Sequence, residues 1–327
     1  MALQIALCLL FTACCALAAP GNTEKKAHWK HQYAVVNGVR LHYVTEGKGP
    51  LILFLHGFPE FWYEWKQQLP EFAKDHRAVA PDMRGYNLSE KPQGVDRYQM
   101  KDLVEDVRAL AEHLGYKKFI LVGHDWGGGV AWSFAIAHPE YLEKLVIVNC
   151  PHPAILAREL AENPAQQKAS QYMLLFRSAQ AEQFLSINNY AGLVEGVLGA
   201  GLKTGVFTEA DKQAYIEAWS QPGALTGGLN YYRAANLGPP VPPKEGEAPV
   251  ASTPSGSAFG LDATSLTVKV PTLVIWGEKD TALLTGNLDG MDEFVPNLTV
   301  KRIPDGSHWV IHEKPALVNE YIREFIQ

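Results

Sequence analysis

The run Gly123-His124-Asp125-Trp126-Gly127-Gly128-Gly129 contains the side chain in this protein best placed to do chemistry. It follows a short apolar stretch, Phe119 to Val122, and precedes a helical pattern on Val130, Ala131, Phe134 and Ala135. Small residues two places either side of a central acid, between a strand and a helix, predict a sharp turn that presents the acid. The small residues are required because strand and helix backbones nearly touch at such a turn. Asp125 then stands at the carboxyl end of a sheet, beside a helix N-terminus that favours an anion. The segment is not a phosphate loop, since it lacks both G-K-[ST] and G-x-G-x-x-G. A carboxylate attacking an ester carbonyl would form an anhydride and gain little. Attack on a saturated carbon bearing a leaving group instead gives an ordinary ester, which water can cleave at its carbonyl. An aspartate in this place therefore points to cleavage of a carbon–oxygen or carbon–halogen bond.

Such a turn needs a sheet to stand on. Gln32 to Val36 and Val39 to Val44 flank Asn37-Gly38, which predicts a hairpin. Leu51 to Leu55 is an unbroken apolar run, as expected of a strand buried on both faces, and Ala78 to Pro81, Phe119 to Val122 and Leu145 to Val148 resemble it. Helical patterns lie between them; in one, Leu103, Val104, Val107, Leu110, Ala111 and Leu114 share a face. Strands alternating with helices imply an α/β fold with a mostly parallel sheet covered on both sides. The alternation stops after Asn149, where a mainly helical stretch begins and ends in the proline-rich run Gly238-Pro239-Pro240-Val241-Pro242-Pro243. It resumes with Pro271 to Trp276 and Leu298 to Ile303, then a closing helix with Leu317, Val318, Tyr321, Ile322 and Phe325 on one face. The expected organisation is a core of residues 19–150 and 266–327, interrupted by a helical cap at 151–265 with a proline-rich return linker.

With 327 residues, 47% hydrophobic and 20% charged, the chain can bury a large core. Its net charge of −6 is spread out, and no basic block suggests nucleic acid or an anionic membrane. The expected partner is a small, apolar or weakly charged molecule and water. Residues 2–19 carry no charge and end in Ala16-Leu17-Ala18, which reads as a signal peptide over residues 1–18 and a secreted or periplasmic protein. The alternative is an uncleaved membrane anchor. Three of the four cysteines lie in that segment, so the mature chain keeps only Cys150 and has no internal disulfide. Asn87-Leu88-Ser89 and Asn297-Leu298-Thr299 are glycosylation sequons.

Four segments, His56-Gly57-Phe58-Pro59, Asp82-Met83-Arg84-Gly85-Tyr86, Gly123-His124-Asp125-Trp126-Gly127-Gly128 and Gly306-Ser307-His308-Trp309, resemble the epoxide hydrolases of the α/β-hydrolase superfamily. The likeness spans essentially the whole mature chain. One departure is Asn87, where the family usually has glycine after Arg-Gly-Tyr; asparagine tolerates left-handed backbone better than other residues. The resemblance implies that Asp125 is the nucleophile and His308 the base. A histidine with an ordinary pKa near ~6.5 can take a proton from water at neutral pH. Gly277-Glu278-Lys279-Asp280 offers two carboxylates to orient it, and the family pattern selects Asp280, with Glu278 solvated. Some relatives place this acid after the preceding strand, where this chain has Asn149. The superfamily's oxyanion hole implies the backbone N–H groups of Phe58 and Trp126, which leaves both side chains free to pack on substrate. A cis bond before Pro59 is implied in the same way.

The leaving group separates two activities that share this machinery. Haloalkane dehalogenases hold a halide with two N–H donors; Trp126 could supply one, but Phe58 has no side-chain donor. An epoxide oxygen leaves as an alkoxide, too basic to depart without a proton. In epoxide hydrolases two cap tyrosines supply it, and the resemblance assigns Tyr232, before Arg233, and Tyr172, in Gln171-Tyr172-Met173-Leu174-Leu175-Phe176. Tyr231 is expected to face the cap interior. Phe58 is expected to touch substrate, with Phe61, Trp62 and Trp65 partly core. The expected reaction is hydrolysis of an epoxide to a vicinal diol through an aspartyl ester, without metal or organic cofactor. A dehalogenase, or a binding protein that has kept the pocket without turnover, is the alternative; with no G-x-S-x-G, an esterase is not expected.

Overall fold

The computed structural model describes residues 29–241, 258–260 and 265–327. The expected signal peptide and most of the proline-rich linker lie outside the described residues. Eight strands form one sheet in the order β1-β2-β4-β3-β5-β6-β7-β8. These are β1 (Lys30–Val36), β2 (Val39–Gly47), β3 (Leu51–Leu55), β4 (Arg77–Pro81), β5 (Phe119–His124), β6 (Leu142–Val148), β7 (Thr272–Gly277) and β8 (Leu298–Ile303). β2 runs antiparallel to both β1 and β4, and every other pair is parallel. The hairpin turns at Asn37 and Gly38, both at positive φ (47° and 73°), as a two-residue turn between twisted strands requires. β3, β5 and β7 are buried along their whole length, which explains their lack of polar alternation.

The core helices are α1 (Leu69–Phe72), α2 (Met100–His113) and α3 (Asp125–Ala137) in the first part, with α11 (Val310–Glu313) and α12 (Pro315–Ile326) at the end. α2 buries Leu103, Val104, Val107, Leu110 and Ala111 against the sheet, and α12 buries Val318 and Ile322. Between β6 and β7 the described residues contain no strand. They form α4 (Pro153–Glu162), α5 (Pro164–Ala169), α6 (Gln171–Arg177), α7 (Ala181–Leu193), α8 (Gly199–Thr204), α9 (Glu209–Trp219) and α10 (Ala224–Ala234). Caps start three of these helices: His152 Nδ1 accepts from Ala154 N–H, Asn163 accepts from Ala165 and Gln166 N–H, and Thr208 and Asp211 make a reciprocal capping box. α7 is broken where Asn188, Asn189 and Tyr190 take left-handed backbone. No helix among the described residues is long and apolar enough to cross a membrane.

The helical layer is seated on the core by close backbone contact. A Cβ on Gly227 in α10 would lie 2.3 Å from the carbonyl oxygen of Gly85, so only glycine allows this approach. Tyr231 donates its hydroxyl to the Arg84 carbonyl at 2.8 Å. It therefore faces the core, not the cap interior as expected; adjacent helical positions point in different directions, and Tyr231 takes the core-facing one. Arg84 is held by two hydrogen bonds to Asp106, of 2.7 and 2.6 Å. Asn87 has φ 37° and is buried, with its amide donating to Asp82 at 2.9 Å. The left-handed turn survives without glycine, and the folded chain keeps the Asn87 amide out of solvent.

Candidate active site

Asp125 is the first residue of α3 and sits at φ 48°, left-handed backbone that a non-glycine residue adopts only when its surroundings impose it. Close packing imposes it here. A Cβ on Gly127 would lie 2.2 Å from Leu55 O, and one on Gly57 would lie 2.6 Å from Asp125 Cβ. β3, β5 and α3 can therefore meet, and the carboxylate projects above the sheet. Its Oδ1 accepts from Phe58 N–H at 2.8 Å, while Oδ2 lies 3.6 Å from His308 Nε2. The Phe58–Pro59 bond is cis, and Trp219 Nε1 donates to Pro59 O at 2.6 Å. Trp126 N–H lies in the first turn of α3, where backbone donors have no acceptor within the helix.

His308 Nδ1 lies 2.7 Å from Asp280 Oδ2. Asp280 is buried and fully occupied: Oδ1 accepts from Ala282 and Leu283 N–H at 2.8 and 2.9 Å, and Oδ2 also accepts from Asn149 Nδ2 at 2.9 Å. Burial alone would raise Asp280, but His308 and these donors outweigh it and hold the carboxyl below its usual range. Asn149, directly after β6, thus supports the acid that follows β7. Gln166 braces the same loop by donating to Ala282 O at 2.7 Å and accepting from Leu284 N–H at 2.9 Å. Glu278 pairs with Arg302 at the surface.

The charge on His308 differs from the sequence expectation of an ordinary imidazole. Burial lowers its pKa, but Asp280 and Asp125 together outweigh burial and hold it well above the usual value. In the free protein it is an imidazolium between two carboxylates. Asp125 is pushed up by burial and pulled further down by His308 and the Phe58 N–H, so it is ionised.

A cavity of about 440 Å³ opens above these groups. Its polar side chains are those of Asp125, Tyr172, Tyr232 and His308; Phe58, Leu175, Phe176, Leu185, Leu193 and Val197 supply most of the apolar wall. Tyr172 and Tyr232 have ring centroids 6.4 Å apart, and Phe176 packs against both. Burial first, and the charge of Asp125 second, raise both phenols well above their ordinary pKa, so both are protonated. Phe58 lines the cavity as expected, whereas Phe61, Trp62 and Trp65 are core. Trp126 does not line it. Its indole turns sideways against Tyr231, Tyr232 and Phe259 at 5.5, 5.0 and 5.5 Å, because the second residue of α3 faces the foot of α10.

Comparison with known proteins agrees with this geometry. Residues 50–315 match the alpha/beta hydrolase fold family. The chain is 39% identical over 302 residues to the AB hydrolase superfamily protein YfhM of Bacillus subtilis (strain 168), covering 91% of this chain and 98% of that one. It is 36% identical to epoxide hydrolase 4 of Mus musculus, covering 89% and 77%. The crystal structure of Bacillus megaterium epoxide hydrolase in complex with an inhibitor superposes with a TM-score of 0.82 at 43% identity, covering 90% and 99%. A turn that presents an aspartate, a histidine braced by a second aspartate and two phenols over one cavity thus occur in a chain with this ancestry. The chain belongs to the α/β-hydrolase family and, within it, to the epoxide hydrolases.

Proposed function

We propose that the protein hydrolyses an apolar epoxide to a vicinal diol through an ester on Asp125. The observation that carries this reading is one cavity with an ionised carboxylate on its floor and two neutral phenols in its wall. The phenols bind the epoxide oxygen, which orients a ring carbon toward Asp125 Oδ2. That oxygen attacks, the carbon–oxygen bond of the ring breaks, and Tyr172 or Tyr232 gives its proton to the leaving alkoxide. Oδ1, already on Phe58 N–H, becomes the ester carbonyl oxygen. Ester formation removes the charge of Asp125, and with it part of the support for the His308 proton. That proton returns to the tyrosinate, and His308, now neutral and braced by Asp280, takes one from water. Water adds to the ester carbonyl and the oxyanion is held by Phe58 and Trp126 N–H. Collapse breaks the bond from that carbon to the substrate oxygen, which takes a proton from His308 as the diol leaves, and the carboxyl left on Asp125 returns its proton to His308. A variant of the Bacillus megaterium enzyme has been crystallised with its product (R)-3-[1]naphthyloxy-propane-1,2-diol. The apolar wall here, with no lysine or arginine in it, suits an uncharged substrate of that general kind.

A panel of aryl and alkyl epoxides, with alkyl halides beside them, tests the reading: diol forms and halide does not. Halide release without diol would replace it with a dehalogenase. Tyr172→Phe/Tyr232→Phe should slow ester formation by about 10²–10⁴-fold, each single variant less, since one donor remains. Stopped-flow tryptophan fluorescence with excess epoxide measures it.

The two half-reactions should also differ in pH dependence. Ester formation needs Asp125 ionised, and its lowered pKa makes this step flat across neutral pH. Ester hydrolysis needs neutral His308, so its rate rises with pH through the histidine's pKa in the ester. That pKa lies below the value in free enzyme, because the carboxylate of Asp125 has gone. Rapid-quench measurement of both steps between pH 6 and 9, a range taken around the ordinary histidine pKa, checks this; parallel profiles would contradict it.

From the sequence alone we also propose that residues 1–18 direct export. N-terminal sequencing of the mature protein should begin at Ala19.

A further inference from the structure

Behind the oxyanion loop lies a buried group of titratable side chains that the reaction above leaves unused: Glu60, Glu64, His124 and His312. His124 Nε2 lies 2.9 Å from the carbonyl oxygen of His308, a contact that an N–H makes favourably. A neutral ring with its proton on Nε2 presents a bare lone pair at Nδ1. This Nδ1 lies 2.5 Å from Glu64 Oε1. Two lone pairs do not rest at that separation, so a proton lies between them. Drawn without it, Glu64 Oε1 and His124 Nδ1 are both buried without a hydrogen-bond partner.

That proton belongs either to a cationic His124 facing an anionic Glu64, or to a carboxylic acid facing a neutral ring. Glu60 decides between them. Its Oε1 meets His312 Nε2 and accepts from the Tyr215 hydroxyl, both at 2.9 Å. Burial raises Glu60, but its partners outweigh burial and bring it down to about 2, so it carries the charge. A second carboxylate beside it, away from water, is strongly disfavoured, and a neutral hydrogen bond costs less to bury than separated charges. Burial and the charge of Glu60 push Glu64 well up, while burial brings His124 down to about 4.

We propose that Glu64 is a positioning residue for this reaction, a neutral carboxylic acid that donates from Oε1 to His124 Nδ1 and accepts at Oε2 from Gly57 N–H, 2.9 Å away. It ties the oxyanion loop to the residue before the nucleophile. Through His124 Nε2 it reaches the main chain of His308, whose ring centroid lies 4.7 Å from that of His124. The groups facing it are Glu60 from its own loop, His124 and Asp125 from the turn between β5 and α3, and, beyond Glu60, His312 from α11 and Tyr215 from α9. The proposal rests on the catalytic reading above.

Glutamine at this position separates a neutral acid from a carboxylate. In Glu64→Gln the amide oxygen still accepts from Gly57, one amide N–H donates to His124 Nδ1, and the other faces Glu60 Oε2, which otherwise lacks a partner. The expected kcat stays within about threefold of wild type, whereas Glu64→Ala loses about tenfold with a smaller change in KM. The infrared spectrum of wild type minus Glu64→Gln at neutral pH should show the carbonyl stretch of a protonated carboxyl and no carboxylate bands. A folded Glu64→Gln protein slowed tenfold would overturn the proposal, as would carboxylate bands in that difference. So would a stoichiometric divalent cation lost on substitution, since the ligand atoms of Glu60, Glu64 and His124 lie within 4.8 Å of one another. The spectrum needs no substrate, so it stands even if no epoxide is turned over, and with Glu64→Gln it decides the question if Glu64→Ala does not fold.

Discussion

Asp125→Ala reduces diol formation from any epoxide by about 10⁴-fold or more, because nothing else in the cavity can form the bond to carbon. His308 could in principle activate water to open the ring directly, but in the free protein it carries a proton. Removing Asp125 also removes one of the two carboxylates that keep it there, so the variant offers the most favourable case for direct attack by water. Turnover near the wild-type rate in Asp125→Ala would therefore sink the ester mechanism. The companion measurement is a single turnover of wild type in heavy-oxygen water. The diol should leave with unlabelled oxygen from Asp125, and the label should appear in the peptide that contains Asp125.

His308→Gln should separate the two halves of the reaction. Attack by Asp125 does not need His308 as a base, and the Phe58 N–H still holds Oδ1. Ester hydrolysis does need it and should slow by about 10²–10⁴-fold. On mixing with epoxide, intact-mass spectrometry should show one substrate mass added per chain, persisting for many wild-type turnover times. Asp280→Asn should trap the same species less completely, since the ring keeps a hydrogen-bond partner but loses the charge that supports its protonated form. If His308→Gln turns over normally, or never gains mass, the assignment of His308 fails. The alkaline stability limb is a separate check. A histidine whose folded pKa is raised contributes stability that is present below its unfolded pKa and lost as pH rises through the folded one. Wild type should therefore lose more stability than His308→Gln on going from neutral to alkaline pH.

The parts of the fold and site that were legible in the sequence are those fixed by local chemistry. Asn37-Gly38 specifies its turn through positive φ at both residues, and the glycines around Asp125 specify theirs by exclusion of Cβ. The apolar runs that became β3, β5 and β7 are visible because a strand covered on both faces has no polar alternation. What the sequence did not reveal depends on contacts between distant residues. Asn149 meets Asp280 across 131 positions, and Glu64, after β3, meets His124 at the end of β5. The protonation of His308 follows from two carboxylates brought to one ring by different loops, which no reading of its own neighbourhood could supply. The sideways turn of Trp126 and the downward reach of Tyr231 follow from where α10 lands, a fact of docking and not of either residue's type.

The contact between Gly85 and Gly227 also bears on how this enzyme could be redesigned. A helix is stiff along its axis, so the height of Tyr232 above the catalytic floor is set about 1.4 turns away, at a junction where no chemistry occurs. The opposite wall, from Phe184 to Val197, is built of broken helix and side chains, with no such spacer. Enlarging the chamber for bulkier oxiranes should succeed by trimming Leu185, Leu193 or Val197. A single methyl group added at position 227 should lift Tyr232 away from its target and slow ring opening, with Tyr172 left as the one donor.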